Sequence, residues 1–338
     1  MIYPRFLKEN GTIGVTAPSA GSESEIDIKR LDLAISNFNK RGYRIVETPN
    51  CRQDDKKGAS SSKEERAKEL NNLFQNKDVD VIIGMAGGEF LLEILPYIDW
   101  NLIKENPKWL QGYSDITGIS YLLTTKLDIA SLYATNFRTF SMKNWHPEQT
   151  NALEILKGNL IEQQSYLMYQ KERVNKIIGD EEYNLDTPAK LVNLNNEEKI
   201  NMNGRMLGGC LDVIMNLIGT KFDYTKQFIE KYKDDGIIWF FDNCDQGSEN
   251  IVRTMLQFKQ AGYFEHTKGI IFGRCIEKES FYNISFKEAI KRSIGDLNIP
   301  IILDADIGHI PQTITIINGA IASVKSKKGK GSIKFSLN

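Results

Sequence analysis

The first half of the chain alternates short apolar runs with segments of helical periodicity. The run at 12–20 is β-branched and ends in Ala, Pro and Ser, which is typical of a buried parallel strand that leads into a loop. Apolar positions across 25–41 recur at helical spacing, and a second strand is predicted just after Gly42. Ser62, with Glu65 three positions later, predicts the start of another helix. This order of elements predicts a parallel sheet with helices on both faces.

The same pattern continues to about residue 130 and then stops. A strand is predicted at 79–88, and a shorter one at 109–115 breaks into a turn before the apolar run 116–126. The segment 161–190 is polar and has no sustained period. We therefore predict an interdomain connection there.

The second half has a higher content of predicted strands. Helices are expected at 248–261 and near 286–294, and a β-rich tail follows apolar strands at 237–243, 268–274 and 299–309. The predicted fold is α/β, with an open parallel-sheet domain of Rossmann-like or flavodoxin-like type at 1–160. The connection at 161–190 then leads into a β-rich α/β domain at 191–338.

Composition and charge exclude several classes of protein. The 338 residues are 41% hydrophobic and 26% charged, as in an ordinary globular chain. Because 43 Lys and Arg balance 44 Asp and Glu to a formal net charge of -1, no global field favours nucleic acid or an anionic membrane. No apolar run approaches the roughly 18 residues of a membrane span, and the start lacks the pattern of a secretory leader. We expect a cytoplasmic protein.

The cysteines predict neither a zinc site nor a disulfide framework. They are far apart in the sequence and form no CxxC pair. We expect four reduced thiols, at Cys51, Cys210, Cys244 and Cys275.

Ser114 is the candidate nucleophile. It lies where a predicted strand meets a helix, and Gly112 permits a sharp turn just before it. A serine on such a turn is exposed to substrate, and the first amides of the next helix can donate to an oxyanion. The simpler interpretation is a helix cap, because serine followed by Asp115 is a common capping arrangement.

Gly87 and Gly88 follow the preceding strand and form a second candidate element of the site. Ligands of open α/β sheets bind at the carboxyl ends of the strands, so these glycines and the Ser114 turn are expected to face one crevice. Backbone without side chains can approach a ligand closely. The alternative is that the glycines only make a tight turn.

Three histidines are available as the base for a serine nucleophile. His146 and His266 lie in polar segments and are expected at the surface. His309 follows an apolar strand and stands in a turn bounded by glycine and proline. It is therefore the candidate base, although a single histidine in a turn is often structural.

A base of this kind needs an acid to orient its imidazole. Asp242 follows a very apolar strand, where a buried carboxylate requires a partner. Asp304 and Asp306 compete for the same role.

Several blocks, in order along nearly the whole chain, resemble the LD-carboxypeptidases, a family of serine peptidases that includes the microcin C immunity peptidases. The matching blocks include TIGVTAPSA, GYSDIT, GRMLGGCLDVIMNLIGT, IIWFFDNCD, KGIIFGR and GHIPQ. The resemblance implies a Ser-Glu-His triad on a two-domain fold, with Ser114 as the serine and His309 as the histidine. It further implies oxyanion donors among the backbone amides near Gly88 and Asp115.

The third member of the triad departs from the family pattern. Where the family has glutamate after the apolar strand, this chain has Asp242, which reaches roughly 1.5 Å less far. A shifted backbone, a bridging water and a weakened activity are the three open consequences.

The resemblance implies that the substrate is a murein tetrapeptide, which loses its terminal D-Ala during cytoplasmic recycling of peptidoglycan. No metal or other cofactor is expected, the site is expected between the two domains, and a homodimer is implied. One alternative is hydrolysis of an aminoacyl-nucleotide antibiotic, with Trp145 as a candidate for stacking on the nucleobase. A further alternative is a non-catalytic protein that binds murein peptides.

Overall fold

A computed structural model describes residues 1–172, 182–276 and 278–338, which form two compact units. Unit 1 comprises Met1–Ile161, Glu172–Asn184 and Thr315–Ile317, and unit 2 comprises Glu162–Lys171, Leu185–Ile314 and Asn318–Asn338. The interdomain connection at 161–190 stays a prediction, because residues 173–181 lie outside the described part of the chain.

Six strands of the described chain form the first sheet. They are β1 (Thr12–Thr16), β2 (Arg44–Glu47), β3 (Val81–Gly84), β4 (Leu110–Gly112), β5 (Ser131–Tyr133) and β14 (Ile316–Asn318). The accompanying α-helices are α1 (Glu25–Asn39), α2 (Lys63–Gln75), α3 (Trp100–Glu105), α4 (Thr117–Leu127) and α5 (Pro147–Leu156). Short 3₁₀ helices cover Pro49–Arg52, Leu91–Tyr97, Ser114–Ile116 and Phe137–Ser141.

The order of this sheet is β14-β5-β4-β3-β1-β2, and β1 to β5 pair in parallel. All residues of β1, β3, β4 and β5 are buried, as expected for strands covered on both faces. The predicted helix start is confirmed, since the side chain of Ser62 accepts a hydrogen bond from the Glu65 amide at 3.3 Å.

Eight strands among the described residues form the second sheet. They are β6 (Gln163–Gln164), β9 (Val192–Asn193), β10 (Lys199–Cys210), β11 (Ile237–Asp242), β12 (Thr267–Gly273), β13 (Ile301–Ala305), β15 (Ile321–Lys327) and β16 (Lys330–Ser336). Their order in the sheet is β6-β16-β15-β10-β11-β12-β13-β9. A separate pair joins β7 (Met168–Tyr169) to β8 (Thr187–Pro188). The central strands β10 to β13 are parallel, and the outer pairings are antiparallel.

The helices of unit 2 are α6 (Leu211–Ile214), α7 (Thr225–Lys231), α8 (Ser248–Gln260) and α9 (Phe286–Ile294). Two 3₁₀ helices cover Met215–Leu217 and Gly295–Leu297. Within the described residues, no helix combines the length and apolar character needed to span a bilayer. The predicted fold class is confirmed, because both units are mixed α/β with parallel strands.

The aromatic core of unit 2 fixes the end of β11. Trp239 and Phe241 are fully buried, and their rings stack at 5.4 Å. Phe241 also packs on Phe272 of the neighbouring strand. Because every residue of β11 is buried, Asp242 ends the strand with no exposed surface. The carboxyl ends of parallel β11, β12 and β13 lie at one edge of the sheet.

Candidate active site

Ser114 lies on a strained turn between β4 and α4. Its φ is +61°, in the left-handed region that a side chain with a Cβ adopts at a cost of about 1 to 2 kcal/mol. The residue is half-buried and begins the 3₁₀ turn Ser114–Ile116. Strain of this kind at the tip of a strand is typical of an exposed nucleophile and is not required of a simple helix cap.

Gly87 lies directly against Ser114. A Cβ at position 87 would be 2.8 Å from the serine Oγ, so only glycine allows this approach without displacement. Gly88 has a φ of +149°, and a Cβ there would be 2.3 Å from the Oγ of Ser19. The ends of β3 and β4 therefore meet as the sequence predicts.

Asp115 is a buried carboxylate that joins three loops of unit 1. Its Oδ2 accepts a short hydrogen bond from the hydroxyl of Ser19 and another from the Leu91 amide at 2.9 Å. Burial raises the pKa of Asp115 to about 6, although both hydrogen bonds oppose that rise. The side chain thus holds the loops after β1, β3 and β4 together, while its own backbone follows Ser114.

Asn136 secures the other side of the serine turn. Its Oδ1 accepts a hydrogen bond from the Tyr113 amide at 3.0 Å. A Cβ at Gly112 would lie 2.9 Å from the same oxygen and 2.7 Å from a methyl of Ile116. The small residue before the turn is therefore required by close packing on both sides.

In unit 2, His309 meets the acid that ends β11. The Nδ1 of His309 lies 2.7 Å from Oδ2 of Asp242, within hydrogen-bond reach. The aspartate side chain is fully buried and the histidine side chain is 8% exposed. The aspartate thus reaches the imidazole directly.

Gly308 makes this approach possible. Its φ is +102°, and a Cβ there would lie 1.9 Å from Oδ1 of Asp242. The chain before His309 therefore runs against the carboxylate at a distance that only glycine permits.

The two competing aspartates are engaged elsewhere or exposed. Oδ1 of Asp306 accepts a hydrogen bond from Nη2 of Arg274 at 2.5 Å, and its Oδ2 accepts one from the Tyr166 amide at 2.9 Å. Asp304 is exposed, with a left-handed φ of +58°. Of the three candidates, Asp242 is the one that the structure places at the ring of His309.

Of the other two histidines, one lies at the surface and the other at the start of a helix. His266 is 41% exposed and lies 3.7 Å from Glu230, which confirms the predicted surface position. His146 is half-buried, which corrects the prediction of a surface residue. It caps α5, and its Nε2 accepts the Tyr183 amide at 3.3 Å. Pro147 is the first residue of that helix, a position that suits the fixed φ of proline.

The candidate residues thus fall into two groups. Ser114, Gly87, Gly88 and Asp115 belong to unit 1, whereas Asp242 and His309 belong to unit 2. Among the described residues, no group of three or more His, Cys, Asp or Glu side chains is arranged to hold a metal ion.

Sequence reasoning missed Ser19, Asn136 and Arg274, and it noted Gly308 only as a boundary of the turn. The first two follow β1 and β5, which flank β3 and β4 in the sheet, so a prediction of strand order would have pointed to them. Gly308 carried a usable signal, because a glycine immediately before a candidate base permits close backbone approach. Arg274 directly follows β12, at the same edge of the sheet where the parallel neighbour β11 ends at Asp242.

Comparisons with known proteins agree over the whole chain. Residues 13–134 match the LD-carboxypeptidase N-terminal domain, and residues 203–324 match the LD-carboxypeptidase C-terminal domain. A probable murein peptide carboxypeptidase of Bacillus subtilis is 23% identical over 327 residues, which cover 96% of this chain and 91% of that protein.

Solved structures share the fold. An MccF-like protein from Bacillus anthracis is 24% identical with a TM-score of 0.85, and the match covers all of both chains. The microcin C7 self-immunity protein MccF, solved in complex with aspartyl sulfamoyl adenosine, is 19% identical with a TM-score of 0.79, covering 100% of this chain and 99% of that one. With both domains matched in order, the chain belongs to the LD-carboxypeptidase family.

Proposed function

We propose that the protein is a serine-type carboxypeptidase that removes a C-terminal D-amino acid from murein tetrapeptides. The observation that carries the proposal is the 2.7 Å contact between His309 and the buried Asp242. The strained turn at Ser114 supplies the matching nucleophile. The similarity to a probable murein peptide carboxypeptidase of Bacillus subtilis supports the substrate class.

In the acylation step, Ser114 Oγ attacks the carbonyl carbon of the terminal peptide bond. His309 Nε2 takes the hydroxyl proton, and Asp242 stabilises the resulting imidazolium through Nδ1. His309 then gives the proton to the departing amine, the C–N bond breaks and the D-amino acid leaves. Water attacks the acyl-enzyme by the same route and releases the shortened peptide.

Two backbone amides are proposed to stabilise the oxyanion of each tetrahedral intermediate. The amides of Gly88 and Asp115 are the candidates, because Gly87 is in contact with Ser114 and Asp115 follows it. Removing one oxyanion donor typically costs about 10² to 10³ in kcat. The proposal requires Ser114 of unit 1 and His309 of unit 2 to act on the same bond.

The test is hydrolysis of a murein tetrapeptide with release of D-Ala, measured for the full chain. We expect Ser114→Ala and His309→Gln each to abolish turnover while the melting temperature stays close to that of the wild type. His266→Gln is the matched control, because that ring is exposed and should leave turnover unchanged. Unchanged turnover in Ser114→Ala would reject the mechanism.

A second candidate function is hydrolysis of an aminoacyl-nucleotide antibiotic. It is favoured by the likeness to MccF, whose structure holds aspartyl sulfamoyl adenosine. Trp145 does not support it, because its ring packs between Phe38, Phe140 and Arg41 of its own unit. Assaying both substrate classes with the same preparation separates the two functions.

A third candidate is a non-catalytic protein that binds murein peptides. A fluorophosphonate probe distinguishes it, because the probe labels only an activated serine. We expect one label per chain, located on Ser114 and lost in His309→Gln. Peptide binding without labelling would favour the binding protein.

The resemblance also leads us to propose a cytoplasmic homodimer that needs no cofactor. Light scattering on the purified chain tests the dimer, and cell fractionation tests the location. Activity that survives prolonged chelation is expected for a serine mechanism.

A further inference from the structure

The loop that carries His309 is held from both of its sides by one side chain. The loop runs from the end of β13 to Ile314, and His309 lies near its middle. Arg274, the first residue after β12, is 5% exposed. Its backbone amide donates to the carbonyl of Ala305 at 3.0 Å, which anchors it at the start of the loop.

The guanidinium makes three further contacts, one with Asp304 near the end of β13 and two with this loop. Before His309, it donates to Oδ1 of Asp306 at 2.5 Å and approaches the carbonyl of Asp304 at 3.4 Å. After His309, the same Nη2 donates to the carbonyl of Gln312 at 3.2 Å. One rigid planar group thus bridges the two arms of the loop.

The surroundings of Arg274 fix the plane of its guanidinium. The ring of Tyr169 lies 4.4 Å from its central carbon, which is a cation–π contact. The neighbouring Asp306 is 2% exposed, and its second oxygen accepts the Tyr166 amide. Arg274 therefore also neutralises a buried carboxylate three residues from the candidate base.

We propose that Arg274 is a positioning residue, which holds the loop of His309 in the geometry that places the imidazole on Asp242. This inference rests on the proposed function for its catalytic consequence, but its structural content is independent of the substrate. Lysine keeps the charge of Arg274 but has no rigid plane to stack on Tyr169. Its single ammonium on a flexible stem is therefore not fixed at the point where Nη2 meets both Asp306 and Gln312. A displacement of about 1 Å at a catalytic group can cost on the order of a hundredfold in rate.

Arg205 provides a matched control within the same unit. It is 4% exposed, its guanidinium binds Asp235 at 2.6 and 2.8 Å, and its central carbon lies 4.1 Å from the ring of Tyr232. It pairs with Ile237 at the start of β11, whereas Asp242 ends that strand. Arg205→Lys therefore removes a similar buried fork at the opposite end of the sheet from His309.

The experiment compares Arg274→Lys with Arg205→Lys in the full chain, using tetrapeptide kinetics and melting temperature. We expect Arg274→Lys to lower kcat by about a hundredfold with KM within about threefold. Arg205→Lys is expected to lower the melting temperature with kcat within about threefold of the wild type. Equal losses of kcat in both variants would overturn the inference, as would full activity in Arg274→Lys.

A second readout separates this inference from the proposed function. With only three histidines in the chain, the ring resonances of His309 can be assigned by NMR through their loss in His309→Gln. We expect Arg274→Lys to shift them toward those of exposed His266 and Arg205→Lys to leave them in place. Such a shift in a protein without peptidase activity would sink the proposed function alone, and unmoved resonances would sink the positioning role.

The double variant Arg274→Gln/Asp306→Asn covers the case in which a lone lysine destabilises the loop. It leaves no buried charge unpaired, but it still loses the guanidinium bonds to both arms of the loop. We expect the same loss of kcat and the same shift of the His309 resonances. Recovery of wild-type values would mean that Arg274 only neutralises Asp306, and would overturn the inference.

Discussion

Gly308 packs directly against the carboxylate of Asp242, so closely that a Cβ at position 308 would lie 1.9 Å from Oδ1. The next residue, His309, places its Nδ1 2.7 Å from the other carboxylate oxygen. In the proposed triad, this close approach of the loop offsets the shorter reach of an aspartate where the resemblance implies a glutamate. The geometry of the contact between Asp242 and His309 thus depends on a residue with no side chain.

We expect Gly308→Ala to disrupt the contact between Asp242 and His309. The new methyl overlaps Asp242, and a displacement of about 1 Å costs on the order of a hundredfold in kcat. The left-handed backbone adds about 1 to 2 kcal/mol of destabilisation. Gly219→Ala is the matched control, because Gly219 has a φ of +71° but a Cβ there would meet no described atom within 4 Å. Tetrapeptide kinetics and denaturant unfolding should show the backbone cost in both variants and the loss of kcat only at 308.

Replacing Asp242 by the glutamate that the resemblance implies is expected to slow this protein. Asp242→Glu adds a methylene to a fully buried side chain that already reaches its partner, and overpacking of this kind costs about 1 to 3 kcal/mol. We expect Asp242→Glu to be slower than the wild type, and Asp242→Asn to lose on the order of 10⁴ in kcat, as in well-characterised triads. The exposed Asp296→Asn serves as control. A glutamate variant faster than the wild type would contradict the compensation by Gly308.

Asp115 is expected to make stability fall as the pH rises through the mildly acidic range. Its pKa is raised from 3.8 to about 6 by burial, so the folded state binds the proton more tightly than the unfolded chain does. The protonated carboxyl contributes its full stabilisation of the folded state below about pH 4. This contribution falls as the pH rises and is largely lost at about pH 6. The free energy of unfolding is expected to decrease by about 3 kcal/mol over this range.

Asp115→Asn tests this dependence, because the amide cannot ionise but can still accept from Ser19 and Leu91. Denaturant unfolding from pH 4 to 7 should show a smaller decline of stability with rising pH in the variant than in the wild type. Asp78→Asn, at an exposed position, should leave the wild-type profile unchanged. Parallel profiles for Asp115→Asn and the wild type would refute the prediction.

Thiol reactivity should distinguish Cys51 from Cys244. Burial raises the pKa of Cys51 to about 12 from a reference value of 9.0, which reduces its thiolate fraction by about 10³ at neutral pH. Cys244 is only half-buried. We expect iodoacetamide to modify Cys244 first in the native protein and both residues in guanidinium, as followed by peptide mass mapping. Cys244→Ser should remove the fast phase, and rapid modification of native Cys51 would contradict its burial.

The periodicity of apolar residues was sufficient to predict most elements of both units. The strands at β1, β3, β11 and β12 and the helices α1, α2 and α8 agree with their predicted segments within a few residues. Such patterns are local, because the residues that a helix or strand buries recur every 3.6 or every 2 positions along the sequence. The turn at Ser114 could be predicted for the same reason, since a strand, a glycine and a helix follow one another there.

Tertiary structure decided which distant side chains meet. Asp242, Asp304 and Asp306 all lie at or near the ends of strands. Only the register of β11 to β13 with the turn at Gly308 brings the first of them to His309. The bond between Ser19 and Asp115 likewise joins residues 96 positions apart. Register and loop path depend on the packing of the whole unit, to which no short window of sequence has access.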